Sequence, residues 1–129
     1  MSADDLKAIG RAWFEHVMNG RDVDAIDRFY DESYVYRGPE GVMVQGLDGA
    51  KAVARHLIEA MPDRVSTVKD QITEGDRVVT RWVSRGTQVR SIEGVAPTRE
   101  PIAVHGITIS RIENGLIVED WEIIKIVPE

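Results

Sequence analysis

The sequence predicts an α+β protein with a cone-shaped fold, in which three N-terminal helices pack on a strongly curved, mainly antiparallel sheet of four to six strands. Apolar residues recur at helical spacing in the first half of the chain, and from residue 65 onward the pattern changes to short β-branched segments separated by turn-forming clusters. Helices followed by a run of strands favour the α+β class. A curved sheet covered by helices encloses a cone, whose open end can hold a ligand.

Length and composition predict a single domain that spans residues 1–129. A chain of this length builds one hydrophobic core, and 43% apolar and 29% charged residues are ordinary values for a globular protein. We therefore expect nearly the whole chain to take part in the fold.

Charge and cysteine content exclude several classes of function. The net charge is -6, and no basic run is longer than a pair, so nucleic acid and anionic membrane surfaces are poor partners. A small molecule or another protein is expected instead. The chain has no cysteine, which excludes disulfides, thiolate nucleophiles and Cys-based metal sites and suits a reducing compartment. With an acidic N-terminal segment that lacks an apolar signal region, the sequence predicts a cytoplasmic protein.

The first helix is predicted from a capping pattern and an apolar stripe. Ser2 followed by Asp5 is typical of a helix start, and Asn19-Gly20 is typical of a helix end. Between them the apolar residues are three or four positions apart, which indicates a helix that lies across the core. They are Leu6, Ile9, Trp13 and Val17, with Phe14 and Met18 widening the stripe.

Two further helices are predicted on either side of a pair of short strands. A short helix begins at Asp22 and ends near Asp31, and a third is capped by Asp48 and closed by Pro62. Residues 33–46 contain aromatic and β-branched pieces around a Gly-Pro-Glu-Gly break, which indicates two strands and a turn.

Four strands are predicted in the second half of the chain. The turn clusters "EGD", "EGVAPTRE" and "ENG" separate four β-branched segments. Consecutive strands joined in this way form an antiparallel meander. The segments are residues 65–73, 77–92, 101–112 and 116–127.

The last hairpin decides which side chains face the core. A three-residue loop with Gly115 in a left-handed conformation pairs Ile109 with Glu119 and His105 with Ile123. A two-residue Asn-Gly turn shifts the pairs by one and mixes the two faces, so burial favours the first register. The apolar, inward face is then His105, Ile107, Ile109, Ile117, Glu119, Trp121 and Ile123, and the outward face is Gly106, Thr108, Ser110, Asp120 and Glu122.

His105 and Glu119 on an apolar face are the first candidates for chemistry. Burial raises the pKa of a carboxyl group, and histidine titrates near ~6.5, so the two side chains can share acid and base roles. Asp120 is predicted to point outward and becomes the inward acid only if the register is wrong. The alternative for His105 and Glu119 is a structural pair without chemistry.

Aromatic and aliphatic side chains are the candidates for substrate contact. Trp82 is expected inside, because inward Arg81 and Arg85 would need matching acids. The chain contains no Gly-rich phosphate loop, no nucleophile elbow and no His-Glu-x-x-His pattern, so we expect neither a metal nor a cofactor. The predicted contacts are Trp13, Phe14, Val17, Trp82, Ile107 and Trp121.

Three segments of the chain resemble a known family. "EGDRVVTRWVSRGTQ", "APTREPIAVHGITISRIENGLIVEDWEIIK" and, more loosely, "MNGRDVDAIDRFYDESYVYRG" are similar to the SnoaL-like polyketide cyclases of the nuclear transport factor 2-like superfamily. The shared elements are a Gly-Asp before a core strand, a Gly-Thr after it, a Pro-Thr turn and a G-x-I-x-E-x-W hairpin. The sequence departs from the family at Pro97-Thr98-Arg99-Glu100, where the family has Pro-Thr-Gly, and at Lys125, where an Asp is usual.

The resemblance implies a cone with a deep apolar pocket, a homodimer, no cofactor and a small polyketide-, steroid- or terpenoid-like ligand. It implies intramolecular aldol cyclisation or isomerisation of a keto compound, with an acidic residue as base and a histidine nearby. These roles fall by position on His105 and on Glu119, or on Asp120 if the turn is shorter.

Two other functions are compatible with the same fold. The chain can be a non-catalytic ligand-binding or dimerisation module, since this fold hosts unrelated functions. An epoxide-hydrolase-like activity carries less weight, because no clear inward Asp-Arg-Asp set is present. A ketosteroid isomerase fits poorly, because Gly38 stands before Pro39 where an acid would be needed.

Overall fold

Helices cover one face of a six-stranded sheet in the computed structural model, which describes residues Met1–Glu129. The long first helix is α-helical and then widens into π-helical turns. The helical segments are α1 (Ala3–Ala12) with its π-helical continuation (Trp13–Asn19), a 3-10 turn (Val23–Ala25) leading into α2 (Ile26–Phe29), and α3 (Gly46–Ala60).

The start of α1 is held by the predicted capping box. The Ser2 Oγ accepts a hydrogen bond of 3.0 Å from the Asp5 backbone N–H, and the Asp5 carboxylate accepts one of 3.2 Å from the Ser2 backbone N–H. Leu6 and Ile9 are buried as expected from their spacing. The helix therefore lies across the sheet with its apolar stripe inward, and Phe14 packs against Trp82 with ring centroids 5.1 Å apart.

The sheet is mixed, with one parallel pair. The strand order is β2-β1-β6-β5-β4-β3, and of its five neighbouring pairs only β1 and β6 run parallel. Since β2 and β3 lie at opposite edges, α3 carries the chain from one edge to the other. The strands are β1 (Tyr30–Gly38), β2 (Gly41–Gln45), β3 (Val65–Glu74), β4 (Arg77–Thr87), β5 (Pro101–Glu113) and β6 (Leu116–Pro128).

The predicted fold class and meander are confirmed, and some element bounds are corrected. The second helix has only four α-helical residues, Ile26–Phe29, and α3 begins at Gly46 rather than after Asp48. The strand expected over 77–92 ends at Thr87. It ends there because residues 88–100 form a loop around the buried Gln88 side chain, which donates hydrogen bonds to two loop carbonyl groups.

The turn of the last hairpin has two residues, so the predicted three-residue loop is wrong. Asn114 and Gly115 both have positive φ, 52° and 79°, and Glu113 pairs with Leu116. Positive φ at both central residues is the signature of a type I′ turn, whose twist matches that of the two strands.

A β-bulge next to this turn determines the remaining register. Ile112 pairs with Ile117, but the next pair joins Arg111 to Glu119, so Val118 is an extra residue on β6. A bulge of this kind changes which side of the strand the following residues face. Ile117 is buried against the helices, and three positions later Asp120 also points inward.

Beyond the bulge, the face of the hairpin that was predicted to point inward points outward, and the face that was predicted to point outward points inward. Ile107 and Ile123 are directly paired and are 48% and 62% exposed, so the apolar face is the outer one. The expected outward face instead lines the interior. Its members are Gly106, Thr108, Ser110, Asp120 and Glu122.

The conformation of Asn114 gives a test of the turn. We expect Asn114→Ala to lower the free energy of unfolding by about 1 kcal/mol, because a left-handed backbone conformation is unfavourable for alanine. Asn114→Gly should stay within about 0.5 kcal/mol of the native protein, since glycine adopts positive φ freely. Urea unfolding measures both values. In the three-residue loop Asn114 would have negative φ, so a neutral Asn114→Ala would contradict the turn described here.

Candidate active site

The interior of the cone contains a cavity with two adjoining compartments. The first compartment, of about 60 Å³, reaches α1 and the tyrosines of β1, and the second, of about 400 Å³, lies against α3 and the 88–100 loop. Most of the lining side chains are hydrophobic. The wall common to both compartments includes Tyr36, Leu57, Arg64, Trp82 and Glu122.

Asp120 is a buried carboxyl group with two hydroxyl donors. It is 6% exposed, its Oδ2 accepts a hydrogen bond of 2.7 Å from the Tyr34 hydroxyl, and its Oδ1 accepts one of 2.5 Å from the Ser110 hydroxyl. Burial raises the pKa of Asp120 to about 6, although both hydrogen bonds act in the opposite direction. The group can therefore exchange a proton near neutral pH.

Glu122 repeats this arrangement one inward position further along β6. Its Oε1 accepts a hydrogen bond of 2.6 Å from the Tyr36 hydroxyl, and its Oε2 accepts one of 2.7 Å from the Thr108 hydroxyl. Burial, together with the nearby charge of Asp120, raises the pKa of Glu122 to about 7, although both hydrogen bonds act in the opposite direction. The two carboxyl groups form an acidic pair inside an apolar cavity.

Strand alternation brings these groups together. Side chains two residues apart on a strand share a face, and each contributing strand supplies two such residues. Ser110 lies directly opposite Asp120 in the β5–β6 register. Thr108 lies directly opposite Glu122. Because β1 is the other neighbour of β6, its tyrosines approach the same carboxyl groups from the far side. The six residues are Tyr34 and Tyr36 on β1, Thr108 and Ser110 on β5, and Asp120 and Glu122 on β6.

Trp82 orients the hydroxyl group that serves Glu122. Its Nε1–H donates a hydrogen bond of 2.9 Å to the Thr108 Oγ1, which in turn donates to Glu122. The indole ring can lie across β5 because Gly106 is its direct partner, and a Cβ atom at Gly106 would come within 2.2 Å of the ring. Gly106 thus makes room for the ring that orients Thr108.

The phenol groups remain hydrogen-bond donors at neutral pH. Burial, together with the charge of Asp120, raises the pKa of Tyr34 well above its usual range, and burial and the charge of Glu122 do the same for Tyr36. Tyr30 packs edge-on against Tyr34 with centroids 4.8 Å apart. The tyrosines therefore hold the carboxyl groups in place without competing for their protons.

The structure places His105 and Glu119 outside the cavity, so their predicted orientation is wrong. His105 is exposed on the outer face of the sheet and pairs with Lys125 rather than Ile123. The Glu119 side chain is 13% exposed and accepts hydrogen bonds of 2.6 Å from Arg37 and 3.2 Å from Arg111. Although burial opposes the effect, these guanidinium groups hold the pKa of Glu119 below its usual range. Glu119 is part of an ion-pair network between strands.

The orientation predicted for Asp120 is also wrong, because it points into the cavity. Of the predicted contact residues, Trp13, Phe14 and Trp82 line the first compartment. Val17 is fully buried in the core beneath the helices and is not part of the cavity wall.

Ile107 and Trp121, the remaining predicted contacts, lie on the outer face of the sheet. Ile107 is exposed there, and the Arg77 guanidinium lies 5.7 Å from the centroid of the Trp121 ring. Both expectations depended on the hairpin register and fail with it.

Several site residues were not identified from the sequence. Tyr34, Tyr36 and Arg64 were not singled out, and Glu122 was assigned to the outer face. The available signal was a pair of polar patterns, Thr-x-Ser on one hairpin strand and Asp-x-Glu on the other, whose members lie opposite each other in the sheet. No group of three or more His, Asp or Glu side chains converges as a metal site would require.

Comparisons with known proteins identify what the chain is similar to. The family model of the SnoaL-like polyketide cyclases matches residues 8–127. No curated protein is significantly similar to the chain. None of the helices combines the length and hydrophobicity that a membrane crossing requires.

Three solved structures share this fold over nearly their whole length. TsrD of Streptomyces laurentii is 25% identical with a TM-score of 0.82, over 97% of this chain and 91% of that chain. IdmH of Streptomyces antibioticus, a proposed polyketide cyclase, is 27% identical with a TM-score of 0.75, over 93% and 91%. A proposed SnoaL-like polyketide cyclase of Jannaschia sp. CCS1 is 20% identical with a TM-score of 0.84, over 97% and 90%, and this likeness concerns the fold alone.

The raised pKa of Asp120 predicts how stability depends on pH. The folded protein binds this proton more tightly than the unfolded chain, so the contribution of Asp120 to the free energy of unfolding decreases as the pH rises from about 4 to about 6. The slope is at most about 1.4 kcal/mol per pH unit. In Asp120→Asn this contribution is absent, so urea unfolding should show the variant gaining stability relative to the native protein across that range.

Glu119→Gln is the matched control for this measurement. The pKa of Glu119 is lowered in the folded state, so its stabilising contribution is present at neutral pH and is lost on acidification. The two variants should therefore deviate from the native protein in opposite directions. Parallel stability curves for all three proteins would contradict the burial of an ionisable Asp120.

Proposed function

The chain belongs to the SnoaL-like polyketide cyclase family, and on that basis we propose that it is an acid/base enzyme that enolises a small keto compound and cyclises or isomerises it. The fold and the family support a pocket that receives a polyketide-like ligand. We assign the proton transfers to the inward carboxyl groups of Asp120 and Glu122 rather than to His105 and Glu119.

The observation that supports this function is the pair of inward carboxyl groups, of which Asp120 is buried and Glu122 is half-buried. Asp120 and Glu122 have pKa values raised to about 6 and about 7, so near neutral pH the pair holds roughly one proton between two groups. One member is then a base and the other an acid, which is the condition for simultaneous proton removal and delivery. Asp120, with the lower pKa, is the base, and Glu122 is the acid.

The proton transfers balance across the two groups. The Asp120 carboxylate takes a proton from a carbon next to a ketone, and the electrons of that C–H bond form the enolate. In a cyclisation the enolate carbon forms a C–C bond with a second carbonyl carbon of the same molecule, and the resulting alkoxide takes the proton of Glu122. In an isomerisation the proton returns to another carbon. The pair then exchanges its remaining proton and regains its starting state.

Aromatic side chains support a flat, apolar substrate. Trp13, Phe14 and Trp82 line the first compartment close to the acidic pair. Aromatic rings stack on planar conjugated ligands and exclude water from the reacting carbon. Tyr34 and Tyr36 keep the carboxyl groups in fixed orientations, which is what proton transfer at a defined carbon requires.

Substitution of the acidic pair tests the function. We expect Asp120→Asn and Glu122→Gln each to slow deuterium exchange at the α-carbon of 2-tetralone, followed by NMR in D2O, by about 100-fold or more. The native rate should follow a bell-shaped pH profile, since the base is protonated below about 6 and the acid ionises above about 7. Circular dichroism of each variant verifies that the fold is retained.

Glu119→Gln and His105→Ala are the controls, because both residues lie on the outer face. We expect their exchange rates to stay within twofold of native. If the native protein does not accelerate exchange above buffer, the enzyme assignment fails, and a non-catalytic ligand-binding protein becomes the better explanation.

We also propose that the protein forms a homodimer through the outer face of its sheet. Ile72, Val79, Ile109 and Trp121 are consecutive partners across four strands, which makes a continuous apolar row. Ile72 is 63% exposed, and the exposed Ile107–Ile123 pair lies beside this row. An exposed apolar area spread over four strands is typical of an interface.

The cytoplasmic location stays a prediction from the sequence.

Charge introduced on this face tests the dimer. We expect the native protein to sediment as a dimer and the double variant Ile107→Glu, Ile123→Glu to sediment as a monomer, because paired carboxylates cannot be buried against a second copy. Val95→Glu, at an exposed position in the 88–100 loop, is the control and should remain dimeric. A monomeric native protein would refute this arrangement.

A further inference from the structure

Arg64 is a cation buried in the wall of the cavity. It is 5% exposed, it immediately precedes β3, and it lines both compartments. It is the one arginine or lysine among the residues that line the cavity. A charged group in this position needs a compensating partner, because an isolated buried charge is costly.

The protein supplies Arg64 with almost no hydrogen-bond partners. Its Nη2 lies 3.5 Å from the Leu57 carbonyl oxygen and 3.4 Å from the Met61 Sδ, and its Nε–H has no acceptor. The Leu57 oxygen already accepts a hydrogen bond of 3.2 Å from the Met61 backbone N–H. Of the five N–H donors of a guanidinium, most are therefore unpaired.

The acids nearest to Arg64 in the cavity do not pair with it. No carboxylate lies within ion-pair distance of Arg64, whereas Arg37 and Arg111 each pair with Glu119 on the outer face. Each of the four carboxyl oxygens of the acidic pair accepts a hydrogen bond from a protein hydroxyl group. The chain thus places no carboxylate in direct contact with Arg64, and the guanidinium has donors free for an anion that enters the cavity.

Arg64 keeps its charge at neutral pH despite its burial. Burial, together with the charge of the neighbouring Arg21, lowers the pKa of Arg64 to about 10, and the charge of Glu122 opposes the change. The C-terminal carbonyl groups of α3, including that of Leu57, provide a partial negative charge that helps the cation to be tolerated.

We propose that Arg64 binds a carboxylate of the ligand, so that the substrate is a flat keto acid rather than a neutral ketone. The inference rests on the proposed function, because it takes the cavity as the substrate site. What it adds is that the substrate carries a negative charge. The apolar walls near Leu57, Ile92 and Ile124 take the hydrophobic body, and the guanidinium takes two carboxylate oxygens through parallel N–H donors. Glu122 lies in the same shared wall as Arg64, Asp120 lines the first compartment, and neither pairs with the guanidinium, so the acidic pair is left free to act on the keto group.

The alternative is that Arg64 serves only to stabilise the end of α3. In that case its removal lowers stability, and ligands are bound without regard to their charge. Binding of two ligands of the same shape and different charge separates the two roles.

The experiment compares 2-naphthoate with 2-naphthamide by isothermal titration calorimetry at pH 7. We expect the native protein to bind the carboxylate at least about tenfold more tightly than the amide, as for a charge-assisted hydrogen-bonded pair. Arg64→Gln should bind both ligands equally, and Arg64→Lys should keep part of the preference. Arg37→Gln, which removes a guanidinium from the outer face, should keep all of it.

A second measurement uses the native protein and does not depend on the folding of a variant. The Arg64 Nε–H resonance should shift in the NMR spectrum when 2-naphthoate is added and remain unchanged with 2-naphthamide. Failure to bind 2-naphthoate, equal affinity for the two ligands, an unchanged resonance, or a preference that survives in Arg64→Gln would each overturn the proposal.

The result is separable from that of the proposed function. Asp120→Asn should lose α-proton exchange but keep its preference for the carboxylate ligand. A native protein that prefers 2-naphthoate without catalysing exchange would support carboxylate recognition by Arg64 and refute enzymatic enolisation.

Discussion

The structure depends on the way in which two carboxyl groups are accommodated inside an apolar cone. A buried carboxyl group is tolerated only if its oxygens are hydrogen-bonded, and here four hydroxyl groups satisfy four oxygens. Two of the donors come from β1, which is why the parallel pairing of β1 with β6 matters. If β1 were elsewhere, the phenol groups could not reach the carboxyl groups, and the interior of the cone would contain unsatisfied charge.

Two neighbouring carboxyl groups of β6 have pKa values shifted in opposite directions, because both their burial and their hydrogen-bond donors differ. Glu119 receives hydrogen bonds from two guanidinium groups, and its pKa is lowered, which fixes it as a carboxylate. Asp120, the next residue, receives hydrogen bonds from a phenol and a serine hydroxyl, and burial still raises its pKa to about 6. Hydroxyl groups therefore position the inward acids without removing their ability to carry a proton, whereas the outer ion pairs serve structure alone.

Sequence reasoning predicted the architecture well and the interior of the cone poorly. The capping box at Ser2 and the four-strand meander follow from local chemistry, which acts wherever the residues occur. The orientation of the hairpin depended on a positive φ at Asn114, which the Asn-Gly pair signals but the expected burial of the apolar face outweighed, and on an extra residue at Val118, which leaves no distinct trace in the sequence. The usual rule that the apolar face is buried then gave the wrong answer, because this sheet has an apolar outer face and a partly polar inner one. Such exceptions are expected at functional sites.

The separation of Arg64 from the acidic pair follows from the same physical constraint. A guanidinium that paired with Glu122 would stabilise the carboxylate and lower its pKa, as Arg37 and Arg111 do for Glu119. Glu122 would then be unable to act as an acid near neutral pH. Tyr36 and Thr108 donate the hydrogen bonds that Glu122 accepts, no guanidinium lies within ion-pair distance of it, and its pKa is raised to about 7. Under the proposed function, proton transfer and anion binding are therefore carried by separate neighbouring side chains, and a ligand with both a keto group and a carboxylate would use both.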